Sequence, residues 1–126
     1  MNAKDTNAKT GEGVPVRYVV LHHTGVVPEH YDLMIQLPGG ERLMTWRILT
    51  PPETWGREMP AAERLADHRL AYLTYEGPIS GGRGQVKRVA EGMGEYCASA
   101  PHGCRLRLQG EIACEIQVGE TGSNRG

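Results

Sequence analysis

The chain has 126 residues, a length that suits one domain with a single core. Its 14 lysines and arginines are offset by 15 aspartates and glutamates, for a net charge of −1. That balance excludes a long basic surface gripping many phosphates, but not a compact site with a few local cations.

Glycine is abundant, at 17 residues, alongside 8 prolines and no phenylalanine. This composition favours tight turns between short strands over a helical bundle. No apolar run approaches the ~20 residues of a membrane span. The polar stretch before Pro15 lacks the apolar core of a signal peptide. Three irregularly spaced cysteines fit reduced thiols. A cytoplasmic protein without membrane contact is therefore expected.

In chain order, residues 1–14 offer almost nothing to bury and read as a flexible tail. Residues 120–126 read the same way, which leaves 15–119 as the domain. Val16 to His23 is a β-branched and aromatic run, predicting a strand. His30 to Leu37 predicts a second, with Tyr31, Leu33, Ile35 and Leu37 on one face and His30, Asp32, Met34 and Gln36 on the other. Pro38-Gly39-Gly40 predicts a hairpin turn, and Arg42 to Leu49 the returning strand, ended by Pro51-Pro52. Pro60 to Ala66 reads as a short helix with proline near its start. Leu70 to Tyr75 reads as a strand, Gly77 to Gly84 as a glycine-rich loop, and Gln85 to Ala90 as a strand. Gly103 opens a last hairpin in which Leu106, Leu108, Ile112, Cys114, Ile116 and Val118 alternate with polar residues. The expected fold is all-β: a small closed or partly open β-barrel with one or two short helices.

The chemistry concentrates at His23, His30 and Asp32. Residues i and i+2 of a strand share a face, so His30 and Asp32 present an imidazole and a carboxylate side by side. The segment Thr24 to Glu29 can return His23 to the same place. Two imidazoles and one carboxylate suit Mn²⁺, Zn²⁺ or Fe²⁺ better than Ca²⁺, which prefers oxygen ligands. Elsewhere, Gly81-Gly82-Arg83-Gly84 lacks the ending of a nucleotide-binding P-loop. The spacing of Cys97, His102 and Cys104 does not match a zinc knuckle, and Cys114 falls with the core.

The segments RYVVLHHTGVVPEHYDLMIQL, MTWRIL and DHRLAYLTYEGPISGGRGQVKR, in that order, resemble the 3'-phosphoesterase domain of bacterial DNA ligase D. The likeness runs from about Val16 to Val118. It implies a small β-barrel that removes 3' phosphates and 3' ribonucleosides from nucleic-acid ends in DNA repair. It implies a metal, usually manganese, held by His23, His30 and Asp32, with His68 and Tyr72 at the scissile phosphate. Separate ligase or end-joining proteins would then be partners.

The sequence departs from the family at several points. Met34 stands where the family has a phosphate-binding arginine, and Leu21 where it has a glutamine. The loop between His23 and His30 is one residue longer, which makes His22 an alternative ligand, and Thr50 lies where a lysine is usual. The family's N-terminal motif is echoed only by Thr10 and Glu12. Two arginines could replace the missing one. If Gly39-Gly40 closes a two-residue loop, Asp32 lies across from Arg47 on the same face; a one-residue change would bring Trp46 there instead. Arg83, in the glycine-rich loop, is the other candidate. An arginine and His68 would stabilise charge on the phosphoryl oxygens, His68 would protonate the leaving oxygen, and Glu76 would brace the loop. Two alternatives remain beside the enzyme: a catalytically weak end-binding module, and a phosphatase for a small phosphorylated molecule.

Overall fold

The structure, a computed structural model, describes residues 13–58, 60–98 and 104–118. Its strands are β1 (Val14–Thr24), β2 (His30–Gln36), β3 (Arg42–Ile48), β4 (Ala62–Arg69), β5 (Gly77–Pro78), β6 (Gln85–Ala98), β7 (Cys104–Leu108) and β8 (Cys114–Val118). They form one antiparallel sheet in the order β4-β3-β2-β1-β6-β7-β8, with β5 paired to β6. The sheet curls into a half-barrel, the partly open form of the expected all-β fold.

The curl follows from the packing. Leu106, Leu108 and Ile116 of β7 and β8 share a buried cluster with Leu33, Ile35, Trp46 and Ile48 of β2 and β3. Strands that far apart in a sheet meet only if it bends towards itself. Trp55, just after a 3-10 helix at Pro52–Thr54, closes this core, its indole N–H donating to the Thr50 carbonyl at 3.0 Å. The opposite face carries a second cluster of Val19, Leu21, Met34, Leu43, Leu73 and Val86. β1, β2 and β3 thus bury both faces, as their apolar runs require.

Several expectations are corrected. Pro60 to Ala66 is not a helix, because Ala62–Arg69 pairs with β3 as an edge strand. Pairing with a neighbour overrides the helix preference of its alanines, glutamate and arginine. Leu70 to Tyr75 is not a strand: Leu70–Leu73 is a 3-10 helix that turns the chain back over the second cluster. The strand expected to end at Ala90 continues to Ala98, and β1 begins at Val14, inside the expected tail, where it pairs with Tyr96. Gly103, His102, Thr10 and Glu12 lie outside the described residues.

The β2–β3 hairpin has the expected register, with Asp32 opposite Arg47 and Leu33 opposite Trp46. The turn itself sits one residue earlier than expected: the Gly40 N–H donates to the Leu37 carbonyl at 2.8 Å.

Candidate metal and phosphate site

β1 and β2 pair so that His23 lies directly opposite His30. Cross-strand partners share a face, and the two imidazoles meet edge to face at 4.7 Å between centroids. Asp32 follows two residues along β2 on that face. His23 Nδ1 lies 3.6 Å from one Asp32 oxygen, and His30 Nε2 lies 3.4 Å from the other. One ligand atom from each residue falls within 4.8 Å of the rest; among the described residues this is the group of His, Cys, Asp and Glu that converges as a metal site would require.

The remaining ring nitrogens fix the chemistry of the set. His30 Nδ1 sits 2.8 Å from the Pro28 carbonyl, and His23 Nε2 sits 2.8 Å from the Arg83 carbonyl. A carbonyl only accepts, so each of these nitrogens carries a proton and donates it. In the neutral rings, His23 Nδ1 and His30 Nε2 are then lone pairs, and both face a carboxylate that is itself only an acceptor. Three acceptors converge with no proton donor between them. His30 and Asp32 are 5% and 3% exposed, so water cannot easily make up the deficit, and Asp32 Oδ1 is buried without a hydrogen-bond partner. A cation resolves the conflict, either a divalent metal or a proton on His30. The hydrogen bond that protonated His30 would donate to Asp32 is the main cause that raises the His30 pKa above the ordinary histidine value, against the opposing effect of burial. Ligand histidines oriented through their second nitrogen by a backbone carbonyl are what a metal site uses to aim its donors.

The glycine-rich loop supplies one of those carbonyls. Gly84 has φ +78°, and a Cβ there would lie 2.1 Å from the Thr24 carbonyl oxygen. Only glycine lets the loop lie against the end of β1, where Arg83 can reach His23.

His22 points to the other face. Its ring stacks on Tyr31 at 4.4 Å, and its Nε2 donates to Glu29 at 2.6 Å. Strand alternation separates it from the ligand group, so the alternative ligand of the sequence reading is set aside in favour of His23.

A cleft of about 100 Å³ opens beside the ligand group, lined by His23, Asp32, Met34, His68, Tyr72 and Arg83, among others. His68 is the penultimate residue of β4 and Tyr72 lies in the following 3-10 helix, yet their rings meet edge to face at 5.7 Å. His68 Nδ1 donates to the Ala66 carbonyl at 2.9 Å, which leaves Nε2 available. The Arg83 guanidinium is anchored by Nε donating to the Ser80 carbonyl at 2.7 Å, and no carboxylate pairs with it among the described residues.

Arg47 does stand across from Asp32, but its Nη1 lies 3.7 Å from Glu63 and it borders a different groove, with Pro28, Leu49 and Ala62. Its charge still reaches His30, where it opposes protonation. Met34 is 1% exposed and packs with Val19, Leu21 and Leu43, so position 34 belongs to the apolar floor of the site. Glu76 accepts the Arg88 N–H at 2.7 Å, tying the start of the glycine-rich segment to β6.

Sequence reasoning missed the two backbone carbonyls that orient the ligand histidines. The loop glycines are the only trace in the sequence of the Arg83 carbonyl, and the Pro28 carbonyl leaves none. No protein-family model matches the chain, and no curated protein matches it.

Proposed function

We propose that this protein is a metal-dependent phosphoesterase that heals the 3' ends of nucleic acid by removing a 3' phosphate or 3' ribonucleoside. The observation that carries this reading is the set of three converging acceptors, two of them aimed by backbone carbonyls, beside a cleft lined by Arg83, His68 and Tyr72. His23, His30 and Asp32 fit a divalent cation of the Mn²⁺, Zn²⁺ or Fe²⁺ class, with Mn²⁺ favoured by the family resemblance. Such an ion, when bound, supplies Lewis-acid polarisation of a phosphoryl oxygen.

The side chains around it have separate tasks. Arg83 presents an unpaired guanidinium to the phosphoryl oxygens, the task of the arginine replaced by Met34. His68, with Nδ1–H held by Ala66, delivers a proton from Nε2 of its imidazolium form to the leaving oxygen. Tyr72 holds the His68 ring by its edge and flanks the substrate. Arg47, paired with Glu63, tunes the charge around His30 and is the weaker candidate for phosphate contact. Separate ligase or end-joining proteins would use the healed end.

Met34 favours one second reading, an end-binding module of low turnover. Both readings are tested by incubating the protein with Mn²⁺ and a primer-template ending in a 3' phosphate or one 3' ribonucleotide. Hydrolysis abolished by His30→Ala is the expected result. Tight end binding without turnover selects the module. Failure to bind or cleave ends overturns both and leaves a small phosphorylated substrate.

A further inference from the structure

Beside the candidate site, and sharing Tyr72, Ile79 and Arg83 with it, lies a second cleft of about 260 Å³ that also takes in Arg69, Tyr75 and Ser80. Resting on the end-healing reading, we propose that this cleft is a subsite for the nucleotide that precedes the 3' end: one phosphate between Arg69 and Arg83, and its base against Tyr75.

Three observations support it. First, neither arginine is neutralised. Among the described residues no carboxylate pairs with Arg69 or Arg83, nor with Arg42 or Arg57, whereas Arg17, Arg47, Arg64, Arg88, Arg105 and Arg107 have acidic partners. Arg69 lies opposite another arginine, Arg42, where like charges repel, and an anion would relieve that repulsion. The neighbouring acids are engaged elsewhere: Asp67 with Arg64 at 3.2 Å, and Glu76 with the Arg88 N–H.

Second, the aromatic rings are positioned. Tyr72 bridges the two clefts, with His68 at its edge on one side and Tyr75 at 5.8 Å on the other. The Tyr75 hydroxyl is tied to the Pro78 carbonyl, so this exposed ring is held in place. Aromatic rings interleaved with unpaired cations are what single-stranded nucleic acid requires, through stacking and phosphate contact.

Third, the clefts are adjacent and share part of their lining. Arg83 lines both, so phosphates one nucleotide apart would share it. This explains how a chain of net charge −1 would recognise an end: Arg69 and Arg83 line one cleft together. The chemistry it selects is a strand, with a phosphodiester before the terminal phosphate, over a free nucleoside monophosphate.

The test compares a 3'-phosphorylated oligonucleotide with a nucleoside 3'-monophosphate as substrates of the wild-type chain, Arg69→Gln and Arg69→Lys in Mn²⁺. Anisotropy of a labelled single strand, followed against salt, provides a readout that does not need turnover. Arg69→Gln should raise KM for the oligonucleotide about tenfold with kcat little changed, and leave the monophosphate unaffected. It should also flatten the dependence of log affinity on log salt by about 0.7, the share of one phosphate on a single strand. Arg69→Lys should restore that slope. Equal loss on both substrates, or an unchanged KM and salt slope in Arg69→Gln, overturns the subsite while leaving a phosphoesterase in place. Strand binding with the expected Arg69 dependence but no hydrolysis supports the subsite and removes the enzymatic reading. Absence of both binding and hydrolysis by the wild-type chain overturns both.

Discussion

His22 and His23 are neighbours in the chain with opposite surroundings. His22 donates to Glu29 and stacks on Tyr31, so both its N–H and its ring have partners. His23, one residue later on the other face, gives its proton to a backbone carbonyl and turns a lone pair towards Asp32. The faces differ in the same way. The inner face of β2 and β3 is filled by Leu33, Ile35, Trp46 and Ile48 and serves stability. The outer face places two imidazoles and a buried carboxylate among apolar residues, with an unsatisfied oxygen at its centre. Such an arrangement costs stability unless a cation completes it, which is why we propose it as the functional site.

Four perturbations would break or sharpen this contrast. The largest effect is expected on the inner face, where Trp46→Ala should lower stability by about 3–5 kcal/mol, read by denaturant unfolding of the metal-free protein. On the outer face Asp32→Ala should weaken Mn²⁺ binding more than ~100-fold, since it removes a ligand where loss of an orienting partner alone costs 10–100-fold. Isothermal titration separates the two faces if Asp32→Ala keeps a folded, cooperative unfolding transition.

Gly84→Ala comes next. It pushes the loop off Thr24, displaces the Arg83 carbonyl, and should reduce Mn²⁺ affinity by roughly 10–100-fold with every ligand still present. The smallest effect is expected for His22→Gln, which breaks an exposed pair worth about 1 kcal/mol or less and should leave metal affinity unchanged. Equal losses of affinity for His22→Gln and His30→Gln would erase the distinction between the faces.

The pH dependence sharpens the same contrast. The His30 pKa is raised by Asp32 in the metal-free protein. The stabilisation this pair provides is fully present below the ordinary histidine pKa of about 6.5 and is lost as pH rises through the raised value. A metal needs His30 neutral, so its stabilisation grows over that same rise. The Mn²⁺-induced increase in Tm should therefore be larger at pH 8 than at pH 6. An increase of equal size at both values would mean that His30 is not a ligand.

Much of this was legible in the sequence. Alternation in HYDLMIQL places His30, Asp32 and Met34 on one face, and Arg47 stands opposite Asp32 as expected although the turn sits one residue earlier than the Gly39-Gly40 loop on which that register rested. Other parts depended on distant contacts. Ala62 to Ala66 has the composition of a helix and becomes a strand only because β3 offers an edge. β6 was read too short because Gly92 and Gly94 interrupt its pattern. At Gly94 the backbone of β7 approaches so closely that a Cβ would lie 2.4 Å from the Arg107 carbonyl oxygen. The choice between Arg47 and Arg83 was also hidden, since it turns on Glu63 pairing with one and the loop folding back to carry the other into the cleft.

The central claim is that His23, His30 and Asp32 form a metal centre, and the direct measurement is titration of the metal-free protein with Mn²⁺ at pH 8, followed by electron paramagnetic resonance. The account predicts one bound ion per chain, lost in Asp32→Ala and retained in His22→Gln. No saturable binding by the wild-type chain, or the same binding in Asp32→Ala, would contradict it.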